Sequence, residues 1–258
     1  MKKIVWAFAL VAPMMLASCE TDSDVTLDQN NLELNYKANA TLTASEKNGT
    51  WKSSNEFVAT VENGKVTANH VGETTITYTT SNGSATCAVK VNPTNNKFML
   101  PLLNWGSSFS SIQSLMSDAY FAYDATNSSE ANGVLYFDTK PAAANAGLNV
   151  YGDGMPWYLY RFNSNKMSSA SVTVPLDETV FNDYIDWIEQ YYANYDSSNE
   201  DLYGNGYTSG TSNVKVEFTY PEGAIDVLTA VWTTTGTRAN ADNEVAAHTA
   251  AIEKKLAK

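Results

Sequence analysis

The sequence has little of the chemistry that most enzymes and nucleic-acid-binding proteins use. It has two histidines, two cysteines and a formal net charge of −12. An acidic chain repels phosphate backbones, so we expect no nucleic-acid partner. His70 and His248 are far apart in sequence, which argues against a three-histidine zinc site and a histidine-based catalytic triad. The chain also lacks the His-Glu-x-x-His, Gly-x-Ser-x-Gly and phosphate-loop motifs. We therefore expect a protein that is not an enzyme and that uses neither a cofactor nor a metal.

Cysteine is too scarce for a disulfide framework. Cys19 lies near the N-terminus, and Cys87 is the other one. Cys87 alternates with Val89 and Val91, which predicts a small buried core residue of a strand. If Cys19 is modified, no intramolecular disulfide can form. Each domain must then depend on its hydrophobic core.

Long hydrophobic runs are also rare, and the clearest one is at the N-terminus. Residues 4–16 are uncharged and follow Lys2 and Lys3, a pattern typical of a secretory signal peptide and too short for a comfortable membrane span. The run ends in Leu16-Ala17-Ser18-Cys19, which resembles the lipobox of bacterial lipoproteins. The resemblance implies cleavage before Cys19 and lipidation of its thiol with fatty acyl chains such as palmitate. The alternative is an ordinary signal peptide with a chance cysteine.

The residues after Cys19 are acidic. Glu20, Asp22 and Asp24 resemble the export signal of Bacteroidetes-type surface lipoproteins, although a solvated tether explains them equally well. We therefore predict a lipoprotein signal peptide over 1–18 and a lipidated tether over 19–24. The expected location is the outer membrane, with the protein on the cell surface or facing the periplasm. The lipid is the expected membrane contact, because an acidic body is not attracted to anionic headgroups.

Hydrophobic residues make up 43% of the chain and charged residues 17%, so the chain as a whole is globular and long enough for two domains. Residues 25–92 consist of short alternating runs separated by turn residues, which predicts an all-β sandwich. Asn63-Gly64 is typical of a type I′ hairpin turn between two such runs. A second turn is expected at 81–84.

The same region resembles the group 2 bacterial immunoglobulin-like domain. The matching motifs are Trp51-x-Ser53-Ser54-Asn55, Val58-Ala59-Thr60-Val61, Gly64-x-Val66-Thr67-Ala68 and Gly72-x-Thr74-Thr75-Ile76-Thr77. The resemblance implies a seven-stranded immunoglobulin-like sandwich without catalytic residues, used as a spacer or as a ligand-binding module. One departure occurs at 35–38, where the family usually has a glycine.

The region 98–236 has the pattern of an α+β domain. A first helix is predicted by an apolar face made of Phe109, Ile112, Leu115 and Met116, and Ser110 to Gln113 fits a capping box. A second helix, capped by Asp177, has an apolar face formed by Phe181, Tyr184, Ile185, Ile188 and Tyr192. Strands are expected at 133–138, 157–162, 170–174, 214–220 and 225–233. This order predicts an antiparallel sheet with helices on one face.

Two further observations concern the ends of this region. Residues 103–174 resemble the helix-plus-sheet unit of β-lactamase-inhibitor type, which implies a protein-binding sheet. Residues 237–258 predict an Ala-rich tail that is helical or frayed, with Val245, Thr249, Ile252 and Leu256 at helical spacing.

The aromatic residues at the end of the second helix are the candidate ligand-binding residues. They are Trp187, Tyr191, Tyr195, Tyr203 and Tyr207. Aromatic faces with a polar rim suit sugar stacking and protein contacts, and the alternative is that they fill the core.

Two acidic segments contain residue types that could support other chemistry. Asp183 and Asp186 are three residues apart and predict a solvated helix face, although a glycosidase needs only two carboxylates. The segment from Asp196 to Asp201 lacks the residue order of a calcium loop, and Gly204 to Gly210 is expected to be a flexible loop.

These observations lead to a functional hypothesis. The protein is expected to be a non-catalytic, lipid-anchored envelope protein in which an immunoglobulin-like spacer presents an α+β domain that binds a protein or a glycan. A periplasmic inhibitor or assembly factor is the first alternative. A carbohydrate-active enzyme without a recognisable motif is the second.

Overall fold

A computed structural model describes residues 25–194, 202–204, 214–219, 227–234, 244, 247–252 and 254–255. This part of the chain forms an all-β sandwich followed by an α+β domain built on an antiparallel sheet, and it confirms the predicted fold class. Within these residues, no helix is long and apolar enough to cross a membrane.

The N-terminal domain is a sandwich of a four-stranded and a three-stranded sheet. Its strands are β1 (Asn31–Asn35), β2 (Asn39–Thr41), β3 (Thr50–Ser53), β4 (Ala59–Glu62), β5 (Lys65–Ala68), β6 (Gly72–Thr79) and β7 (Ser84–Asn92). The sheet orders are β1-β7-β6-β3 and β2-β5-β4, and β1 pairs with β7 in parallel. Alternate side chains of both sheets, among them Val66, Ile76 and Cys87, meet in a continuous core. The predicted burial of Cys87 is confirmed.

Two turns of this domain depend on positive φ angles. Asn63 and Gly64 have φ of 51° and 84° and join β4 to β5, which confirms the predicted hairpin. Lys37 has a φ of 65° in the turn after β1. The lysine therefore adopts, at a steric cost, the left-handed conformation that a glycine adopts easily.

The second domain has an eight-stranded antiparallel sheet in the order β12-β13-β14-β15-β11-β10-β9-β8. Its strands are β8 (Phe121–Tyr123), β9 (Val134–Thr139), β10 (Trp157–Asn163), β11 (Lys166–Pro175), β12 (Ala193–Asn194), β13 (Leu202–Gly204), β14 (Val214–Thr219) and β15 (Val227–Thr234). The five predicted strands correspond to β9, β10, β11, β14 and β15. Gly204 ends β13, and the rest of the expected flexible loop lies outside the described residues.

The two predicted helices are present. Helix α1 (Phe109–Met116) has its N-cap at Ser108, two residues before the start of the expected capping box, because Ser108 accepts a hydrogen bond from the Ser111 backbone N–H. Helix α2 (Glu178–Glu189) begins as predicted at Asp177, whose carboxylate accepts from the N–H groups of Thr179 and Val180. Short 3₁₀ helices span Pro141–Ala146 and Gly152–Gly154.

The sheet has two different faces because successive residues of a strand point to opposite sides. On one face Tyr158 and Tyr160 of β10 pack with α1 and α2 in the main core. On the other, Trp157 and Leu159 pack with Ile252. Ile252 belongs to the C-terminal helix, which comprises residues 244, 247–252 and 254–255. The predicted helices thus share one face, while the C-terminal helix covers the opposite face.

Candidate functional site

The predicted aromatic cluster is centred on Trp187, and the structure places this residue in the core. Its side chain is 0% exposed. Its ring stacks on Tyr184 at a centroid distance of 5.5 Å and makes tilted or edge contacts with Phe98 and Trp232 at 5.4 and 6.2 Å. This corrects the prediction of Trp187 as a ligand-binding residue, because a ligand at the surface cannot reach the ring.

Of the other four members of the cluster, the structure describes Tyr191 and Tyr203. Tyr191 is partly buried and meets Trp187 edge-on at 6.3 Å, and burial raises the pKa of its hydroxyl. Tyr203 lies on β13, and Tyr195 and Tyr207 lie outside the described residues. The prediction of ligand binding stays a prediction for these four residues.

The paired carboxylates on α2 have structural partners. Asp183 forms an ion pair with Lys97 at 2.5 Å, and Asp186 accepts a 3.4 Å hydrogen bond from the Asn95 side chain. Both contacts fasten the interdomain segment 93–97 to α2, so this pair does not resemble two free catalytic carboxylates. The acidic segment 196–201 lies outside the described residues. Among the residues described, no group of three metal-binding side chains occurs.

The end of α2 forms a junction between the two domains, centred on Gln190. Gln190 is fully buried, and its Oε1 accepts hydrogen bonds from the backbone N–H groups of Thr94 and Asn95 at 2.6 and 3.0 Å. Its Nε2 donates to the Asn95 carbonyl at 3.2 Å. One side chain therefore takes the place of a backbone partner for the interdomain segment.

The immunoglobulin-like domain completes this junction by capping α2. The backbone N–H of Val71 donates to the Gln190 carbonyl at 2.7 Å, and the Tyr36 hydroxyl donates to the Glu189 carbonyl at 3.2 Å. The last carbonyls of a helix have no partner within it. Because the first domain supplies these partners, the two domains are held in one relative orientation.

A chain of buried polar groups lies between the sheet and the C-terminal helix. His248 Nδ1 is 2.9 Å from Ser171 Oγ, and His248 Nε2 is 2.8 Å from Ser169 Oγ. The Ser169 hydroxyl donates to Glu244 Oε2 at 2.5 Å. Because that proton is committed, Ser169 must accept from His248 Nε2–H, and Ser171 must donate to Nδ1. The direction of the chain is therefore Ser171 to His248 to Ser169 to Glu244.

This arrangement resembles the base-activated serine of a hydrolase only in its order of groups. Ser169, Ser171 and His248 are each 0% exposed, so no substrate reaches the Ser171 hydroxyl. Burial and, to a smaller extent, the nearby Arg161 charge lower the pKa of His248 to about 3. The imidazole is thus neutral and fixes the C-terminal helix on the sheet.

A second buried contact of the C-terminal helix is an ion cluster around Lys255. Lys255 Nζ lies 2.7 Å from both Asp124 Oδ2 and Asp138 Oδ1. The same atom lies over the rings of Trp157 and Tyr136 at 4.7 and 5.4 Å. We call these five residues the Lys255 cluster.

Neither cluster was among the predicted site residues. The sequence of the tail predicts a helix through its thin apolar stripe of Val245, Thr249, Ile252 and Leu256. Glu244, His248 and Lys255 lie at helical spacing beside Ile252. This polar stripe is the sequence pattern that could have pointed to the two clusters. Its partners on β9, β10 and β11 are more than 70 residues away along the chain, and local patterns do not identify such partners.

The N-terminal domain has the architecture of an immunoglobulin-like sandwich, a class of module used for spacing and binding. Residues 24–91 match the family model of the bacterial Ig-like domain (group 2). This match supports a non-catalytic spacer or binding role for the module. No curated protein is significantly similar to the chain.

Proposed function

We propose that the protein is a lipid-anchored envelope protein whose immunoglobulin-like module holds the α+β domain away from a membrane and presents it to a protein or glycan. The junction at Gln190 is the observation that carries this proposal. A spacer can position the domain that follows it only if the two domains are in firm contact. Here Tyr36 and Val71 of the first domain donate hydrogen bonds to the last carbonyls of α2.

The proposal includes the absence of catalysis. The buried histidine is enclosed with its two serines, and Asp183 and Asp186 fasten the interdomain segment. A purified mature chain that hydrolyses polysaccharides, with the activity removed by one Asp or Glu substitution, would contradict this part of the proposal. We expect no turnover.

The lipid anchor is tested by metabolic labelling with a palmitate analogue. We expect label on the wild-type chain and on Cys87→Ala, and none on Cys19→Ala, because Cys87 is buried and Cys19 is the proposed acceptor. Cys87→Ala is the matched control, since it removes the other thiol. Label retained by Cys19→Ala would refute the anchor.

The side of the membrane is tested by adding a large protease to intact cells that carry a C-terminal epitope on this protein. We expect loss of the epitope while a periplasmic marker stays intact, which corresponds to a surface location and to glycan or protein partners outside the cell. Protection of the epitope would instead favour the periplasmic inhibitor or assembly factor.

A further inference from the structure

The Lys255 cluster combines a primary amine with two carboxylates, and the amine is largely shielded from solvent. The side chains of Lys255 and Asp124 are 8% and 10% exposed, while that of Asp138 is 32% exposed. Trp157 and Tyr136 cover the amine with their rings. A lysine held this way against one carboxylate can do more than form an ion pair, because amine and carboxyl group are the two reactants of an amide.

We propose that Lys255 and Asp124 condense to an intramolecular isopeptide bond that fastens the C-terminal helix to the sheet. The geometry brings the reactants together, since Lys255 Nζ and Asp124 Oδ2 are 2.7 Å apart. Two groups held in contact react with the advantage of a large effective concentration. The proposal is independent of the membrane anchor and of any ligand.

Asp124 is the electrophile because its carboxyl group is already held in an oxyanion-stabilising setting. The backbone N–H groups of Thr126 and Asn127 donate to Asp124 Oδ1 at 3.0 and 3.1 Å. When nitrogen attacks Cγ, negative charge develops on Oδ1, and two preorganised donors stabilise it. Asn127 Nδ2 donates to Oδ2, the oxygen that leaves.

Asp138 is suited to move the proton. Its Oδ1 lies 2.7 Å from Lys255 Nζ, and its carboxyl group is more exposed than that of Asp124. Its place follows from the sheet, because Asp138 on β9 is the cross-strand neighbour of Trp157 on β10. A carboxylate in contact with the attacking nitrogen acts as its base and then as the acid for the leaving oxygen.

The reaction balances without an oxidant or another reactant. The ammonium first gives one proton to Asp124 Oδ2, and this transfer leaves the number of protons in the pair unchanged. The neutral nitrogen forms a bond to Cγ, and Asp138 removes a second proton from it. Asp138 returns that proton to Oδ2, the Cγ–Oδ2 bond breaks, and one water leaves. The product is a neutral amide, and Asp138 is again a carboxylate.

The charged pair and the neutral amide differ in their desolvation cost. Burial by itself raises the pKa of Asp124, whereas hydrogen bonds from Asn127 and Lys255 outweigh burial and keep the pKa below its usual value. Two opposite charges at low exposure keep part of their desolvation cost, and an amide removes both charges. A covalent link also replaces what a disulfide would do in a domain whose described residues contain no cysteine.

The test is the mass of tryptic peptides from the denatured full-length protein. Cleavage at Lys97 and Arg161 releases residues 98–161, and an acylated Lys255 leaves residues 255–258 as one piece. We expect these two peptides as one species lighter than their sum by one water, with fragment ions that locate the link at Asp124. An unlinked peptide 98–161 together with cleavage after Lys255 would overturn the proposal, and a link at Asp138 would overturn the assignment of Asp124.

Four variants separate the covalent bond from a structural ion pair. Lys255→Arg keeps the charge but not the amine, so we expect complete loss of the linked species, whereas Lys254→Arg at the exposed neighbour should retain it. Asp124→Asn should form the same link with loss of ammonia instead of water. Asp138→Ala should lose the link or form it far more slowly. Linkage in Lys255→Arg, or full linkage in Asp138→Ala, would contradict the mechanism.

Discussion

The two domains use opposite ways to cover their sheets. The immunoglobulin-like domain buries two apolar sheet faces against each other, and its buried Ser53 and Thr74 pair with one another at 3.1 Å. The α+β domain has one aromatic face and one face rich in hydroxyl groups. That second face buries Ser169, Ser171, Thr173 and Thr229.

The difference shows where each domain obtains its stability. All covering elements of the first domain are its own neighbouring strands. The second domain depends on elements distant in sequence, namely Phe98 over α2 and the C-terminal helix over the hydroxyl-rich face. It also keeps the Nε1 of Trp187 buried without a hydrogen-bond partner. When each domain is produced separately, the first is therefore expected to keep more of its stability than the second.

Removal of the Trp187 side chain tests most strongly how much the second domain depends on its aromatic core. We expect Trp187→Ala to lower the free energy of unfolding of the second domain by about 3–5 kcal/mol, because a large buried ring leaves a cavity. Urea unfolding followed by circular dichroism measures the change. Tyr191→Ala, at the half-buried neighbour, is the control and should cost less. A Trp187→Ala variant of native stability that fails to bind a glycan would restore the ligand-binding interpretation.

The junction is tested by Gln190→Ala. The substitution leaves two backbone N–H groups and one carbonyl of the interdomain segment without their partner, so we expect a loss of about 3 kcal/mol. We also expect separate thermal transitions for the two domains in scanning calorimetry. Gln113→Ala on α1 is a matched substitution outside the junction. A single unchanged transition in Gln190→Ala would show that the junction does not couple the domains.

Acid should weaken the second domain through His248. The pKa of His248 is about 3 in the folded state, and an unfolded histidine has about 6.5, so the unfolded chain binds more protons between these values. Stability is therefore full above pH 6.5 and falls with decreasing pH. From pH 7 to pH 5 we expect a loss of about 2 kcal/mol from this residue.

Urea unfolding at the two pH values measures this loss, with His248→Gln as the comparison. The variant should show a much smaller change, since His70 is the remaining histidine with a lowered pKa, caused mainly by burial. An equal pH dependence in the variant and the wild type would contradict the assignment to His248.

The smallest expected effect concerns the first domain. Lys37→Gly should stabilise it by up to about 1 kcal/mol, because glycine adopts a φ of 65° without the steric cost that a lysine has. The gain is reduced by the lost contact between Lys37 Nζ and the Tyr36 ring at 4.8 Å. Lys37→Ala loses the contact without removing the strain, so it should be destabilising. Thermal melting measures the stability of both variants relative to the wild type. A lower melting temperature for Lys37→Gly would refute the prediction.

Most of the elements could be predicted because their signals are local. The Asn63-Gly64 hairpin, the cap at Asp177, the apolar run of β9 and the alternating run of β14 each depend on a few neighbouring residues. The short strands β8, β12 and β13 were not predicted. They consist of two or three residues each, too few for a period to be visible.

The site was harder to predict because it depends on distant contacts. The predicted apolar face of α2 is confirmed at Tyr184, Ile188 and Tyr192. Phe181 and Ile185 are only partly buried, whereas Val180 and Trp187, which were not part of that face, are buried. The interdomain segment covers α2 beside the sheet, and Phe98 packs on Trp187. Because the interdomain segment packs on α2 in addition to the sheet, the buried face of the helix is wider by one residue position. In the same way, the buried environment of His248 is set by serines on β11.

The parallel pairing of β1 and β7 has a mechanical consequence. The chain enters the immunoglobulin-like domain before β1 and leaves it after β7, and Asn31 pairs with Ala88 while Asn35 pairs with Asn92. A force that pulls the two ends apart acts along these strands in opposite directions and shears their ladder. All hydrogen bonds of the pair then bear the load together instead of opening one after another. The module is thus built to transmit tension along its length.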